Sequence, residues 1–328
     1  MLRKEIIGVD LGTANTLVYS SNSDSVVFNE PTCVAIDKNS HEVKEIGFLA
    51  SKIQGKTPYN YEITKPVEHG FIADSDACFM FLDKIFQNLH LEKTFRNASI
   101  LFSAPSQCSK VNRKALIEIA KNLQAKEIFI ESQAKLAALG AGENVYAPTA
   151  TLVCNIGAGI TDIGVLSLGD IVSCESTFIS SNTFDEAIRR YMVLKKHLQI
   201  GAKSAEYVKM RIGSVAPNGE ERLVDVKGRD TITSLPSSMI VSSGELKSAL
   251  IPLAEYIALK ITDVIASIPP ELSADLIKNG LVLTGGGSLL TGLKEYFAET
   301  LSIPVRIAPN PETAVSKGMS IFVHNLLK

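Results

Sequence analysis

The sequence has no block of like charge, no cysteine pair at metal-ligand spacing, and no apolar run near the ~18 residues a membrane-crossing helix needs. Its 33 basic and 35 acidic residues leave a net charge of −2 over 328 positions, without the basic footprint of a nucleic-acid binder. Five cysteines (Cys33, Cys78, Cys108, Cys154, Cys174) lie far apart with no C-x-x-C pair, which excludes a disulfide framework or a zinc site and suits buried thiols in a reducing cytosol. The five histidines are scattered as well. The start, Met1-Leu-Arg-Lys-Glu5, enters a strand without the apolar core of an export signal, so the expectation is a cytoplasmic chain. At 45% hydrophobic, a chain of this length suits about two well-cored domains with a cleft between them.

What is present is organised around Glu5-Ile-Ile-Gly-Val-Asp10-Leu-Gly12-Thr13-Ala14-Asn15-Thr16. Ile6, Ile7 and Val9 suit a buried strand, and Gly12 permits a sharp reversal that aims backbone N–H groups at one spot, where an anion binds. Thr13 and Asn15 add short polar side chains around a phosphate, and Asp10 at the strand end can hold Mg²⁺ through its waters. Alone, such a turn is weak evidence. At Leu152-Val-Cys-Asn155-Ile-Gly157-Ala158-Gly159-Ile-Thr161-Asp162 the pattern returns: an apolar strand, an amide, Gly-x-Gly, Thr and a second apolar strand. Two hairpins of one design are expected to grip a polyphosphate from both sides. A third loop, Thr284-Gly285-Gly286-Gly287-Ser288, lets the backbone lie flat against a ligand, with Ser288 expected to cap the helix that follows. Glu206 and Lys209, at i and i+3 of a helix over 204–213, either face one ligand together or form a solvated charge pair.

The strands after Ser20 continue the first hairpin into a meander, and the polar stretch 37–66 reads as a small inserted subdomain. Residues 76–89 have a helical period, with Asp74 or Ser75 as cap, and the strands at 98–104 and 127–130 flank a helix at 112–123, a β-α-β unit. The helix 133–141 ends in Gly140-Ala-Gly142, which allows its backbone a close approach to a neighbour, and Ser242 or Ser243 caps a long helix stopped by Pro269-Pro270.

Together with Asn29-Glu-Pro31, Gly70-Phe-Ile-Ala-Asp74, Lys227-Gly-Arg-Asp230 and Ser267-Ile-Pro-Pro-Glu-Leu-Ser-Ala-Asp275, these loops resemble the superfamily of actin, heat-shock chaperones and sugar kinases, and more narrowly the MreB family of bacterial actin homologues. The resemblance implies an α/β, actin-like (ribonuclease H-like) fold: two domains, each a mixed sheet flanked by helices, with four subdomains around a nucleotide cleft. It places domain I at 1–142 plus 310–328, with an insert at 32–66, and domain II at 143–309, with an insert at 184–245. It further implies ATP or ADP with Mg²⁺ as cofactors. Asp10, Gly12, Thr13, Ala14, Asn15, Gly157, Ala158 and Gly159 would lie around the phosphates, and Glu206, Lys209 and Gly285 to Ser288 around ribose and base. Asp10 and Asn155 would reach the metal through water. The activity implied is a cytoplasmic, polymerising protein of cell shape, with subunits stacked head to tail in protofilaments that pair antiparallel. Contact with the inner membrane face would run through Leu91 and Phe95, or the loop there is an ordinary solvated one.

The departures from that family pattern bear on turnover. Where the family has Asp-Ile-Gly-Gly-Gly-Thr-Thr, this chain has Asn155-Ile-Gly-Ala158-Gly-Ile160-Thr161, and the water-activating Glu of the connecting helix is replaced by Gln133. Gln orients a water but takes no proton, so slow hydrolysis is expected, with Gln133, Thr161 and Asp162 as the residues nearest the chemistry. Asp162 is either a base or a structural residue. The alternative of a small-molecule kinase needs a second pocket and a carboxylate base, and a chaperone needs a further domain on the order of 200 residues.

Overall fold

The computed structural model describes residues 5–54, 59–91, 98–216 and 219–327. The chain divides into two compact units, residues 1–144 with 313–328, and residues 145–312.

In the first unit, β1 (Ile6–Leu11), β2 (Asn15–Ser20) and β3 (Ser25–Pro31) form an antiparallel meander. The strands β4 (Val34–Asp37), β5 (Val43–Ile46) and β6 (Tyr61–Thr64) make a separate sheet in the order β5-β4-β6, beside α1 (Gly47–Ile53). A short hairpin, β7 (Val67–Glu68) and β8 (Phe71–Ile72), leads to α2 (Ser75–Asn88), which Asp74 caps by accepting from Ala77 N at 2.9 Å. The main sheet is completed by β9 (Ser99–Ala104), α3 (Lys110–Asn122) and β10 (Glu127–Ser132), in the order β10-β9-β1-β2-β3 with β1, β9 and β10 parallel. Alternation sends Ile7, Val9, Ile100 and Phe102 to one face, where they pack with Phe81, Leu82 and Ile85 of α2. Leu91 is half-buried against that core, while Phe95 lies outside the described residues.

Against the other face lies α4 (Gln133–Gly140). A Cβ on Gly140 would stand 1.8 Å from Ala314 O, and one on Gly318 would stand 1.8 Å from Leu136 O, so glycine is what lets α4 and the closing helix touch backbone to backbone.

In the second unit β11 (Thr151–Ile156), β12 (Thr161–Ser167) and β13 (Asp170–Thr177) repeat the meander. Helices α5 (Ser181–Lys196) and α6 (Ala202–Ile212) follow, then a sheet of β14 (Leu198–Gln199), β15 (Leu223–Asp230) and β16 (Pro236–Ser242). The 24-residue α7 (Ser243–Ala266) opens on a capping box of Ser242 and Glu245 and contains Pro252. Pro270 starts α8 (Pro270–Asn279), then β17 (Leu281–Thr284), α9 (Leu293–Leu301), β18 (Val305–Ile307) and α10 (Ala314–Leu326), the last belonging to the first unit. The sheet order β13-β12-β11-β17-β18, with β11, β17 and β18 parallel, is the order of the first sheet over again. The internal repeat in the sequence is thus a repeat of topology. Helices α5, α6 and α7 share one core with this sheet through Ile188, Val208 and Ile257. Among the described residues no helix is long and apolar enough to cross a membrane.

Candidate functional site

The repeated hairpins turn in the same way. A Cβ on Gly12 would stand 2.6 Å from Asn15 O, and one on Gly157 would stand 2.9 Å from Ile160 O, so each reversal needs its first glycine. In both, the loop carbonyls are tied back by the neighbouring structure. Thr32 donates through Oγ1 to Gly12 O at 2.7 Å and through N to Ala14 O at 2.8 Å. Ser180 Oγ donates to Ala158 O at 2.8 Å, and Ser181 N to Gly157 O at 2.9 Å. Among the described residues, the backbone N–H groups of Thr13, Ala14, Ala158 and Gly159 find no acceptor. Loops whose carbonyls are held inward while their N–H groups are unpaired are anion cradles.

Beside the first hairpin stands a polar cluster. Asp10 is the penultimate residue of β1, and the parallel register that pairs Val9 with Phe102 puts Ser103 next to it. Ser103 Oγ donates to Asp10 Oδ1 at 2.5 Å, and the side chain of Gln133, first residue of α4, hydrogen-bonds the same carboxylate. Burial pushes the Asp10 carboxyl above the usual carboxylate range, against the pull of these two hydrogen bonds. Thr13 Oγ1 accepts from Gly70 N at 2.9 Å, which fixes its side chain to the β7–β8 turn. Ala14 and Asn15 are exposed.

At the equivalent place in the second unit, Asn155 pairs with Thr284, whose Oγ1 donates to Asn155 Oδ1 at 3.1 Å. Thr161 is fully buried, and its Oγ1 is without a hydrogen-bond partner among the described residues. Asp162, cross-strand from Asn155, is also fully buried and accepts from Ser176 Oγ at 2.7 Å, a use that holds β12 to β13.

The glycine loop packs on the second hairpin. Gly285 has φ +78° and its Cβ would stand 2.3 Å from Ile156 O; a Cβ on Gly287 would stand 2.4 Å from Ile156 Cγ2. Gly286 is the exposed member. Ser288 departs from expectation: it is fully buried, donates to Gly285 O at 2.7 Å inside a 3-10 turn, and leaves Gly292 to cap α9. The loop folds back on itself before the helix begins.

Glu206 and Lys209 part company. Glu206 is exposed on α6, whereas Lys209 Nζ reaches back to the start of α5, donating to Ser181 Oγ at 2.7 Å, Ser181 O at 3.0 Å and Asp185 at 2.9 Å. Burial raises the Asp185 carboxyl although Lys209 pulls it down. Ser103 and Thr284 were not singled out from the sequence. Their one signal is position, a hydroxyl at the end of a strand that runs parallel beside the strand carrying Asp10 or Asn155.

A family model described as MreB/Mbl protein matches residues 4–328. The cell shape-determining protein Mbl of Bacillus cereus is 38% identical over 98% of this chain and 96% of its own length. The MreB 5 of Spiroplasma citri, solved bound to AMPPNP and to ADP, superposes with TM-scores of 0.93 in both, at 35% identity; the AMPPNP-bound structure covers 98% of this chain and 97% of its own. A MamK double helical filament shares the actin-like fold at TM-score 0.82 and 21% identity, over 98% of this chain and 99% of its own. By the extent of the family match and the identity to Mbl, the chain belongs to the MreB/Mbl family.

Proposed function

We propose that this chain is a nucleotide-dependent, filament-forming cytoskeletal protein that supports cell shape, binding ATP or ADP with Mg²⁺ and hydrolysing ATP slowly. The observation that carries the reading is the pair of glycine hairpins, each with carbonyls held inward and, among the described residues, two adjacent N–H groups at its tip without an acceptor. Each hairpin is a phosphate cradle of the kind a nucleotide needs, and the related MreB 5 of Spiroplasma citri is solved bound to AMPPNP. The groups present in each unit fit parts of such a ligand: among the described residues the N–H groups of Thr13 and Ala14, and those of Ala158 and Gly159, lack an acceptor and suit phosphate oxygens, while the Asp10 carboxylate and the Asn155 amide oxygen suit the waters of a cation. When bound, Mg²⁺ would neutralise phosphate charge. Gln133 would orient the attacking water without accepting its proton, and Glu206 with the exposed Gly286 would lie on the adenosine side. Lys209 is assigned to holding α5 against α6, and Asp162 to the sheet.

Sedimentation of the purified chain with and without ATP tests the reading. A pellet in ATP containing filaments by electron microscopy is expected; a chain that neither binds adenine nucleotide nor pellets overturns it. The same micrographs test head-to-tail protofilaments paired antiparallel. Pelleting with anionic liposomes tests a cytoplasmic polymer that touches the inner membrane face through the segment following Leu91.

A further inference from the structure

Among the described residues Asp10 is the carboxylate at the candidate phosphate site of the first unit, and uncharged neighbours orient it. Ser103 Oγ donates to Oδ1 at 2.5 Å, and Gln133 completes the set. Ser103 is 4% exposed on a strand buried along its whole length, so its hydroxyl has no bulk water to turn to. The arrangement is built twice. In the second unit a hydroxyl at the matching position of the matching parallel strand, Thr284, is fully buried and donates to Oδ1 of the matching strand-end residue, Asn155. Two sheets of one topology that place a hydroxyl donor on the same atom of an aspartate and of an asparagine argue for a device that sets a side-chain rotamer, whatever its charge.

We propose that Ser103 is a positioning residue for the cation that accompanies the nucleotide: by donating to Asp10 Oδ1 it decides which carboxylate oxygen is left to accept from the cation's water shell. The inference rests on the nucleotide reading above and deepens it. A carboxylate that holds Mg²⁺ through water needs one oxygen aimed and acceptor-only. With that donor gone, Asp10 keeps only its Gln133 hydrogen bond, one of its two restraints on χ2 is lost, and the ordering cost falls on cation binding. Binding of the nucleotide itself, carried by backbone N–H groups, does not pass through Ser103.

The test measures affinity for a fluorescent ATP analogue across a Mg²⁺ series and in EDTA, for the parent, Ser103→Ala, Ser103→Thr and Ser103→Cys, with a thermal melt of each. For Ser103→Ala the Mg²⁺ needed for half-maximal binding should rise about tenfold, the scale of one hydrogen bond to a charged group, with the EDTA affinity unchanged. Ser103→Thr should restore the parent curve, since threonine occupies the equivalent place as Thr284. Ser103→Cys, a weak donor of similar size, should fall between. Superimposable Mg²⁺ curves for parent and Ser103→Ala, or an equal loss in EDTA, overturn the inference. If Ser103→Ala does not fold, identical curves for Ser103→Cys and Ser103→Thr overturn it as well. A parent that binds no analogue at any Mg²⁺ concentration sinks the nucleotide reading itself, and a parent that binds it without Mg²⁺ dependence sinks only the role of Ser103.

Discussion

Thr284 and Asn155 face each other across two parallel strands, hydroxyl to amide oxygen at 3.1 Å, where the first unit has Ser103 and Asp10 at 2.5 Å. The two sheets share strand order, hairpin geometry and this donor, but its acceptor is a carboxylate in one and an amide in the other. Asn155 is 6% exposed, a place where an amide is satisfied by Thr284 but an isolated carboxylate is not. Asn155→Asp is therefore expected to lower stability in EDTA by about 1–3 kcal/mol, the cost of an undercompensated buried polar group. Mg²⁺ with AMPPNP should recover more of that loss than it adds to the parent. Thermal melts under the two conditions measure both, and a variant as stable as the parent in EDTA contradicts the argument.

Gln133 presents the same issue at the first hairpin. Its carboxamide hydrogen-bonds Asp10, so Gln133→Glu sets a second carboxylate against one that burial already strains. The variant should melt below the parent without Mg²⁺. If the missing base is what slows turnover, it should release phosphate in a single-turnover assay on the order of 10²-fold faster once Mg-ATP is bound. Gln133→Ala should be slower than the parent. A Gln133→Glu rate no faster than the parent's rules out the missing carboxylate as the cause.

Both hairpins were legible in the sequence because a tight turn is a local event: a strand, an acid or amide, and a glycine whose Cβ has nowhere to go, at Gly12 and again at Gly157. Helix starts with side-chain caps were legible to within one residue for the same reason: of Asp74 and Ser75 it is Asp74 that caps α2, and of Ser242 and Ser243 it is Ser242 that caps α7. Pro269-Pro270 marked a stop but hid a start, since Pro270 opens α8 where a missing N–H costs nothing. The seven-residue α1, entered at Gly47 with φ +60°, has too short a period to register. Ser103 was invisible because its partner is set by parallel register between strands far apart in the chain. The partner of Lys209 was hidden for the same reason: local spacing pairs it with Glu206, whereas Asp185 lies on another helix.

That partner makes Lys209 separable from Glu206 by experiment. The side chains of Lys209 and Asp185 are 12% and 14% exposed, so Lys209→Ala leaves a carboxylate with little water and no cation. The loss should be about 3 kcal/mol, far above that of an exposed pair. Glu206→Ala, on the exposed side of α6, should leave the melting curve within about 0.5 kcal/mol of the parent and weaken nucleotide binding. Urea titrations with analogue-binding curves check both. A stable Lys209→Ala with impaired binding would return Lys209 to the ligand.

The three glycines of the loop after β17 are not equivalent, and alanine substitutions should rank them. At Gly285, φ is +78° and a Cβ would stand 2.3 Å from the backbone oxygen of Ile156, so strain and collision add. At Gly287, a Cβ would stand 2.4 Å from the Cγ2 of the same residue, part of a fully buried side chain with little room to retreat. At Gly286 the nearest atom is Glu312 Oε1 at 3.5 Å, ordinary contact at an exposed position. Gly285→Ala and Gly287→Ala should each cost about 2 kcal/mol or more, by strain and overpacking, while Gly286→Ala should change stability by less than about 1 kcal/mol. Because the exposed Gly286 is the one proposed to lie against the adenosine, only Gly286→Ala should weaken nucleotide binding with the fold left intact. Denaturant midpoints read beside analogue affinities separate the two effects, and a Gly286→Ala that binds like the parent removes this loop from the adenosine side of the site.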